Sequence, residues 1–101
     1  MINAKEELLN FIKDGIVAAK LSHGDDCCQP NYYNLKVNHT PEELLFFLSS
    51  LDFEYDDGYG SQELFGIVWL DDITWLEREE YDGSEGWVIK RIPEIPNQLI
   101  P

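Results

Sequence analysis

The spacing of apolar and polar residues changes several times along this chain, and each change marks an expected element. Ala4, Leu8, Phe11 and Ile12 recur at helical intervals, with Asn3 ahead of them as N-cap and Glu6 three residues on as its reciprocal partner. Gly15 supplies the stop. The stretch IVAAKLSH opens on β-branched residues and ends at the turn-forming GDD, which predicts a strand, although Ala18 and Ala19 also suit a continued helix. After the loop GDDCCQPNYY, the segment NLKVNH places Leu35 and Val37 on one face and Lys36 on the other. That is the two-residue period of a half-buried strand.

The segment TPEELLFFLSSL carries the clearest local signal: Thr40 as N-cap, Pro41 in the first helical position and Glu43 closing a capping box. Leu44, Phe47, Leu48 and Leu51 then line one helical face. LFGIVWL is apolar on both pleat faces, the pattern of a central strand covered above and below, with Trp69 in the core and Gly66 admitting a close neighbour. DDI turns, TWLEREEY runs back, DGSEG turns again and WVIKRI returns, a three-stranded meander. PEIPNQLIP holds three prolines in nine residues, so residues 92–101 are expected to lie extended as a proline-rich tail. The expected fold is α+β, one domain over 1–101: two helices packed on an antiparallel sheet of about five strands, in the order α-β-β-α-β-β-β.

Composition narrows the function. At 101 residues and 44% hydrophobic content, the chain can bury one modest core. No apolar run is long enough to span a bilayer and MINAKEELLN does not resemble a signal peptide, so a cytoplasmic, membrane-free protein is expected. The formal charge is −13, and residues 52–85 hold twelve of the twenty acidic residues beside a single base, Arg78. Direct binding to nucleic acid is thereby disfavoured and a basic protein surface is the expected partner. The charge of −11 on residues 52–85 is comparable to the roughly 13 phosphate charges on duplex DNA as long as a seven-residue strand, about 23 Å. A nucleic-acid-like inhibitor is thus one form such a partner-binding protein could take.

The stretches YDDGYGSQELFGIVWL, TWLEREEYDGSEGW and PEIP resemble a group of small acidic proteins of bacteriophages and prophages with no established activity. The resemblance spans about residues 51–96 and rests on Tyr59, Gln62, Glu63, Gly66, Trp69, Trp75, Tyr81, Asp82, Gly83 and Trp87. It implies a phage-type accessory protein in a bacterial host cell and brings no catalytic residue with it. The chain departs from the group at Ile73, where a turn glycine is usual, and at Gly86, where a first tryptophan of a pair is usual.

The candidate contact residues are Asp56, Asp57, Tyr59, Asp71, Asp72, Trp75, Glu77, Glu79, Tyr81, Asp82 and Glu85. Alternation sends Trp75, Glu77, Glu79 and Tyr81 to one face and Glu80 to the other, while Asp56, Asp57, Asp71, Asp72, Asp82 and Glu85 belong to turns. Amphipathic aromatics among carboxylates suit a contact surface for a basic partner. No enzyme activity and no cofactor are expected, and the protein is expected to be a monomer or weak homodimer. The alternative is a small metal-binding module or metal-dependent enzyme using His23, Cys27, Cys28 and His39 of the first hairpin. Their spacing fits no standard zinc finger, and adjacent cysteines seldom bind one ion together.

Overall fold

The computed structural model describes residues 1–12, 15–24, 30–56, 58, 62–81, 83–93 and 96–100. It is an α+β fold. Strand β1 (Ile2–Asn3) leads into helix α1 (Ala4–Leu9), then β2 (Ala18–His23), β3 (Asn31–Leu35), helix α2 (Pro41–Ser50), β4 (Glu54–Tyr55), β5 (Leu64–Trp69), β6 (Thr74–Tyr81) and β7 (Ser84–Arg91). The main sheet is antiparallel, ordered β3-β2-β5-β6-β7, so β5 is its middle strand. A two-stranded ribbon pairs β1 with β4 through Ile2 opposite Tyr55 and Asn3 opposite Glu54. Neither ribbon strand has a sequence signal, because two residues are too few to show a period.

The helix starts match their sequence cues. The Asn3 side chain accepts from the Glu6 N–H at 3.0 Å and also donates to Asp52 at 2.9 Å, so one residue caps α1 and ties it to the ribbon. Thr40 and Glu43 exchange both bonds of the capping box. The N–H and hydroxyl of Thr40 hold the Glu43 carboxyl below its ordinary pKa. Helix α1 is shorter than its apolar spacing predicts: Asn10 caps it, and Phe11 is exposed.

Strand β3 lies earlier than expected. It runs over NYYNL, whereas Val37 is exposed in the turn that carries the chain from sheet to helix, with Asn38 at φ 59°. His39 Nδ1 meets the Lys36 carbonyl at 2.8 Å within that turn. Thr40 must leave the sheet to cap α2, so the residues before it serve as connection. Tyr33 instead packs on the ring of Phe53, centroids 5.7 Å apart.

Both helices lie on the same face of the sheet. Ala4 and Leu8 of α1, Phe47 of α2 and the cap residue Leu51 join Ala19, Leu21, Leu35, Leu64, Val68, Leu76 and Trp87 in one core. A fully buried side chain of this kind contributes about 1.5–3 kcal/mol. Among the described residues the opposite face has no helical layer, which corrects the expectation for β5. Leu64 and Val68 are buried, but Phe65 and Trp69 are each 39% exposed, so Trp69 is not a core residue. Among the described residues there are two α-helices, and both pack on one side. Among the described residues the C-terminal segment holds one 3-10 turn, Asn97–Leu99, a departure from a wholly extended tail.

Gly66 allows β2 and β5 to pair. Its φ is +142°, and a Cβ there would stand 2.3 Å from the Lys20 carbonyl oxygen and 2.8 Å from Leu21 Cα, both backbone atoms that cannot swing aside. Gly66→Ala is expected to lower stability by about 1–3 kcal/mol or more through local backbone strain. A fall in the urea midpoint with an unchanged slope would show this; a midpoint equal to that of wild type would contradict the fit described.

Candidate functional site

Strand β6 divides its side chains cleanly. Thr74, Leu76 and Arg78 are buried beneath the helices, while Trp75, Glu77, Glu79 and Tyr81 stand on the open face. Four of the expected contact residues therefore share one surface. Trp75 Nε1 donates to Glu77 Oε1 at 2.8 Å, and Lys90, opposite Trp75 on β7, donates to Glu79 at 3.2 Å and lies 3.6 Å from Glu77. The bond to Glu79, reinforced by the charge of both carboxylates, holds the Lys90 ammonium above its ordinary pKa. Tyr81, 84% exposed, ends the row.

Apolar residues flank this row. Ile67 and Val88 stand opposite Glu77 from its two sides, Trp69 stands opposite Trp75, and Phe65 lies two residues before Ile67. Phe65, Ile67, Trp69, Trp75 and Val88 thus share this face with Glu77, Lys90 and Lys20, the last opposite Ile67; no helix packs on it among the described residues, and none of the five belongs to the core. Phe65, Ile67 and Val88 were missed as site residues. Phe65 and Ile67 alternate visibly in LFGIVWL and Val88 in WVIKRI, but which pleat face the helices would cover was not readable.

The other expected contact residues that are described, Asp56, Asp71, Asp72 and Glu85, lie elsewhere. Asp71 and Asp72 form the exposed β5–β6 turn, where Asp71 accepts from the N–H of Ile73 at 2.9 Å and of Thr74 at 2.8 Å. The Ile73 N–H, chiefly, holds the Asp71 carboxyl below its ordinary pKa. This turn is built by a side chain rather than a left-handed backbone, so Ile73 fits without a positive φ. The two carboxylates border the open face: with Val17, Ala18, Val37 and Trp69 they line a groove of about 450 Å³. Asp56 is exposed beyond β4 and accepts from the Gly58 N–H, and Glu80, at the far end of β6, accepts from the Gly83 N–H. Asp57, Tyr59 and Asp82 lie outside the described residues.

Glu85 is corrected outright, from exposed turn residue to buried strand residue. Its carboxylate accepts from the N–H of Glu63 at 2.7 Å and of Leu64 at 3.0 Å, and from Arg78 NH2 at 2.6 Å. Arg78, the lone base of the acidic half, is buried with it. NH1 donates to Glu7 at 2.9 Å, NH2 also donates to the Tyr55 hydroxyl at 2.8 Å, and Nε donates to the Leu64 carbonyl at 3.3 Å. Tyr55 in turn donates to Glu7. The guanidinium lies over the rings of Trp87, at 5.0 Å from the centroid, and Tyr55, at 5.5 Å. Burial alone would pull Arg78 down, but Glu85, Glu7 and Tyr55 hold its pKa above the ordinary arginine value. Burial, aided by Glu7, pushes the Tyr55 phenol well up.

The register separates the histidines of the metal alternative. His23 pairs with Asn31 at one end of the β2–β3 hairpin, stacked on Phe53, while His39 lies beside Lys36 past the other end. Cys27 and Cys28 fall outside the described residues. Among the described residues no group of three His, Cys, Asp or Glu is placed to hold a metal ion, and no helix is long and apolar enough to cross a membrane.

Arg78→Ala is expected to cost about 3–5 kcal/mol, because Glu7 and Glu85 would remain buried without their counter-charge; denaturant unfolding measures it, and a loss below 1 kcal/mol would refute the role. Asp71 gives a pH prediction. Its depressed pKa contributes stability that is present above the ordinary value of 3.8 and disappears as pH falls through the lower folded value. The melting-temperature gap between wild type and Asp71→Ala should therefore close with acidification below that point, and a gap that widened there would reverse the sign. No family model, no curated protein and no solved structure matches this chain.

Proposed function

We propose that this protein is a non-enzymatic binding protein that uses the open face of its sheet and the bordering carboxylates to engage a basic surface of another protein. The observation that carries this reading is the shared placement of Trp75, Glu77, Glu79 and Tyr81 on a face that no helix covers among the described residues. A formal charge of −13 steers encounter with a cationic surface, and exposed aromatics anchor the docked state. The resemblance of residues 51–96 to small acidic phage and prophage proteins suggests a host partner in the bacterial cytoplasm. A DNA-processing or defence protein, with its cationic groove, suits the chemistry.

The described carboxylates favour docking over imitation of a phosphate row. Glu77 and Glu79 share Lys90, Glu85 is buried against Arg78, and Asp71, Asp72 and Glu80 lie at opposite ends of β6. An evenly spaced line of unpaired negative charge is not formed by these residues.

The test is affinity capture from bacterial lysate with wild type and with a variant carrying Asp71→Asn, Asp72→Asn, Glu77→Gln and Glu79→Gln. A basic protein retained by wild type, lost from the variant and released at about 0.5 M salt, where the Debye length is about 4 Å, is the expected result. Equal retention by both proteins, unchanged in that salt, would overturn the charge-led reading.

A further inference from the structure

Independently of what the open face binds, we infer that the outer edge of β7 pairs with β7 of a second copy of this chain, antiparallel about a two-fold axis at Val88. The strand is last in the sheet, and among the described residues nothing pairs with its outer side. The Ile92 N–H donates inward to the Ile73 carbonyl at 2.9 Å, in step with the register that sets Thr74 opposite Arg91. Antiparallel bonding alternates along a strand, so the inward bonds of β7 fall at even-numbered residues. The N–H and carbonyl groups of Glu85, Trp87, Ile89 and Arg91 therefore point outward.

The usual guards of a free edge are absent from β7 or turned away from its rim. Its pairing with β6 runs unbroken from Ser84 to Arg91, without a bulge, and Pro93 comes only after the strand has ended. Lys90 leans back over the sheet to Glu79 at 3.2 Å and Glu77 at 3.6 Å, and Arg91 is near enough to Asp71 to help hold that carboxyl's pKa down. Ile89 and Ile92 stay 55% and 51% exposed. A straight apolar edge whose charges are drawn inward is a template for another strand.

Register selects the second copy. Two β7 strands centred on Val88 set Glu85 opposite Arg91 and Trp87 opposite Ile89, so every outward residue exchanges both of its backbone bonds and no like charges face each other. Gly86 falls opposite Lys90 and leaves it room. Centring on Ile89 instead brings Pro93, which has no N–H, opposite Glu85; centring on Trp87 leaves Arg91 opposite Gly83, beyond the strand. A groove of about 850 Å³ is walled by residues 84–88 of β7 and 78–81 of β6. The other copy's Arg91 enters it opposite Glu85, whose charge Arg78 already matches, and extends toward the exposed Glu80, about two strand spacings of 4.8 Å away.

Net charge works against this contact. Each copy carries −13, so association is opposed at low ionic strength and eased by salt. Docking to a basic partner has the reverse dependence, so the two readings fail separately.

The test is sedimentation velocity of the full chain from micromolar to millimolar concentration, at low salt and at about 0.5 M salt, where the Debye length is about 4 Å. A dimer that strengthens with salt is the expected result. Ile89→Pro removes an outward N–H without breaking a bond to β6, and Ile89→Lys guards the edge by its side chain alone. Each should keep the wild-type circular dichroism and weaken self-association at least about tenfold. Glu42→Gln, on the exposed side of α2, should dimerise as wild type does. In hydrogen exchange read by NMR, the amides of Glu85, Trp87, Ile89 and Arg91 should gain protection as concentration rises, while those of Gly86, Val88 and Lys90 are protected throughout. A monomer at every concentration and salt, a dimer indifferent to Ile89→Lys, or a dimer that salt dissociates would each overturn the inference.

Discussion

The structure depends on one buried cation. The Arg78 guanidinium meets carboxylates from α1 and β7, the Tyr55 hydroxyl of β4 and a β5 carbonyl, so a single side chain on β6 ties together elements far apart in sequence. Its burial is tolerable only because its surroundings are so complete: two counter-ions, two further acceptors and two aromatic faces. Glu85 extends the arrangement by accepting two backbone N–H groups at the start of β5, so the ion pair also closes the end of the central strand. Trp87 gives its ring to the cation, and its buried Nε1–H has no hydrogen-bond partner among the described residues.

That arrangement also reshapes the electrostatics. Counted along the chain, residues 52–85 look like an acidic block with one compensating base. In space, the base neutralises interior carboxylates and offers nothing to the surface, while Lys90, from the following strand, bridges the two exposed glutamates. The surface remains negative, but at separated places. On the open face, charged and apolar side chains interleave across the strands: Glu77 stands between Ile67 and Val88, and Lys20 is opposite Ile67 on its other side.

Local interactions were legible in the sequence. Helix α2 follows from Thr40, Pro41 and Glu43, whose bonds span three residues and need nothing from the rest of the chain. The β6 face division follows from alternation, since a strand has no other way to place Trp75 with Glu77. Gly66 declared a close approach because few other uses explain a glycine in an apolar strand. Where the reading missed, a distant partner decided: β3 shifted so that Thr40 could cap a helix, and Glu85 left its expected turn for Arg78.

The sequence alone determined the α+β class, the meander and the sharing of one face by Trp75, Glu77, Glu79 and Tyr81, because periodicity and capping act over a few residues. Only the tertiary structure decided that both helices fall on the same side of the sheet, leaving Phe65 and Trp69 in the open, and that Arg78 is a core residue. A pleat has two faces that look alike in LFGIVWL, and the choice between them belongs to the layer that packs against one; an arginine likewise reads as surface until a carboxylate 71 positions away meets it.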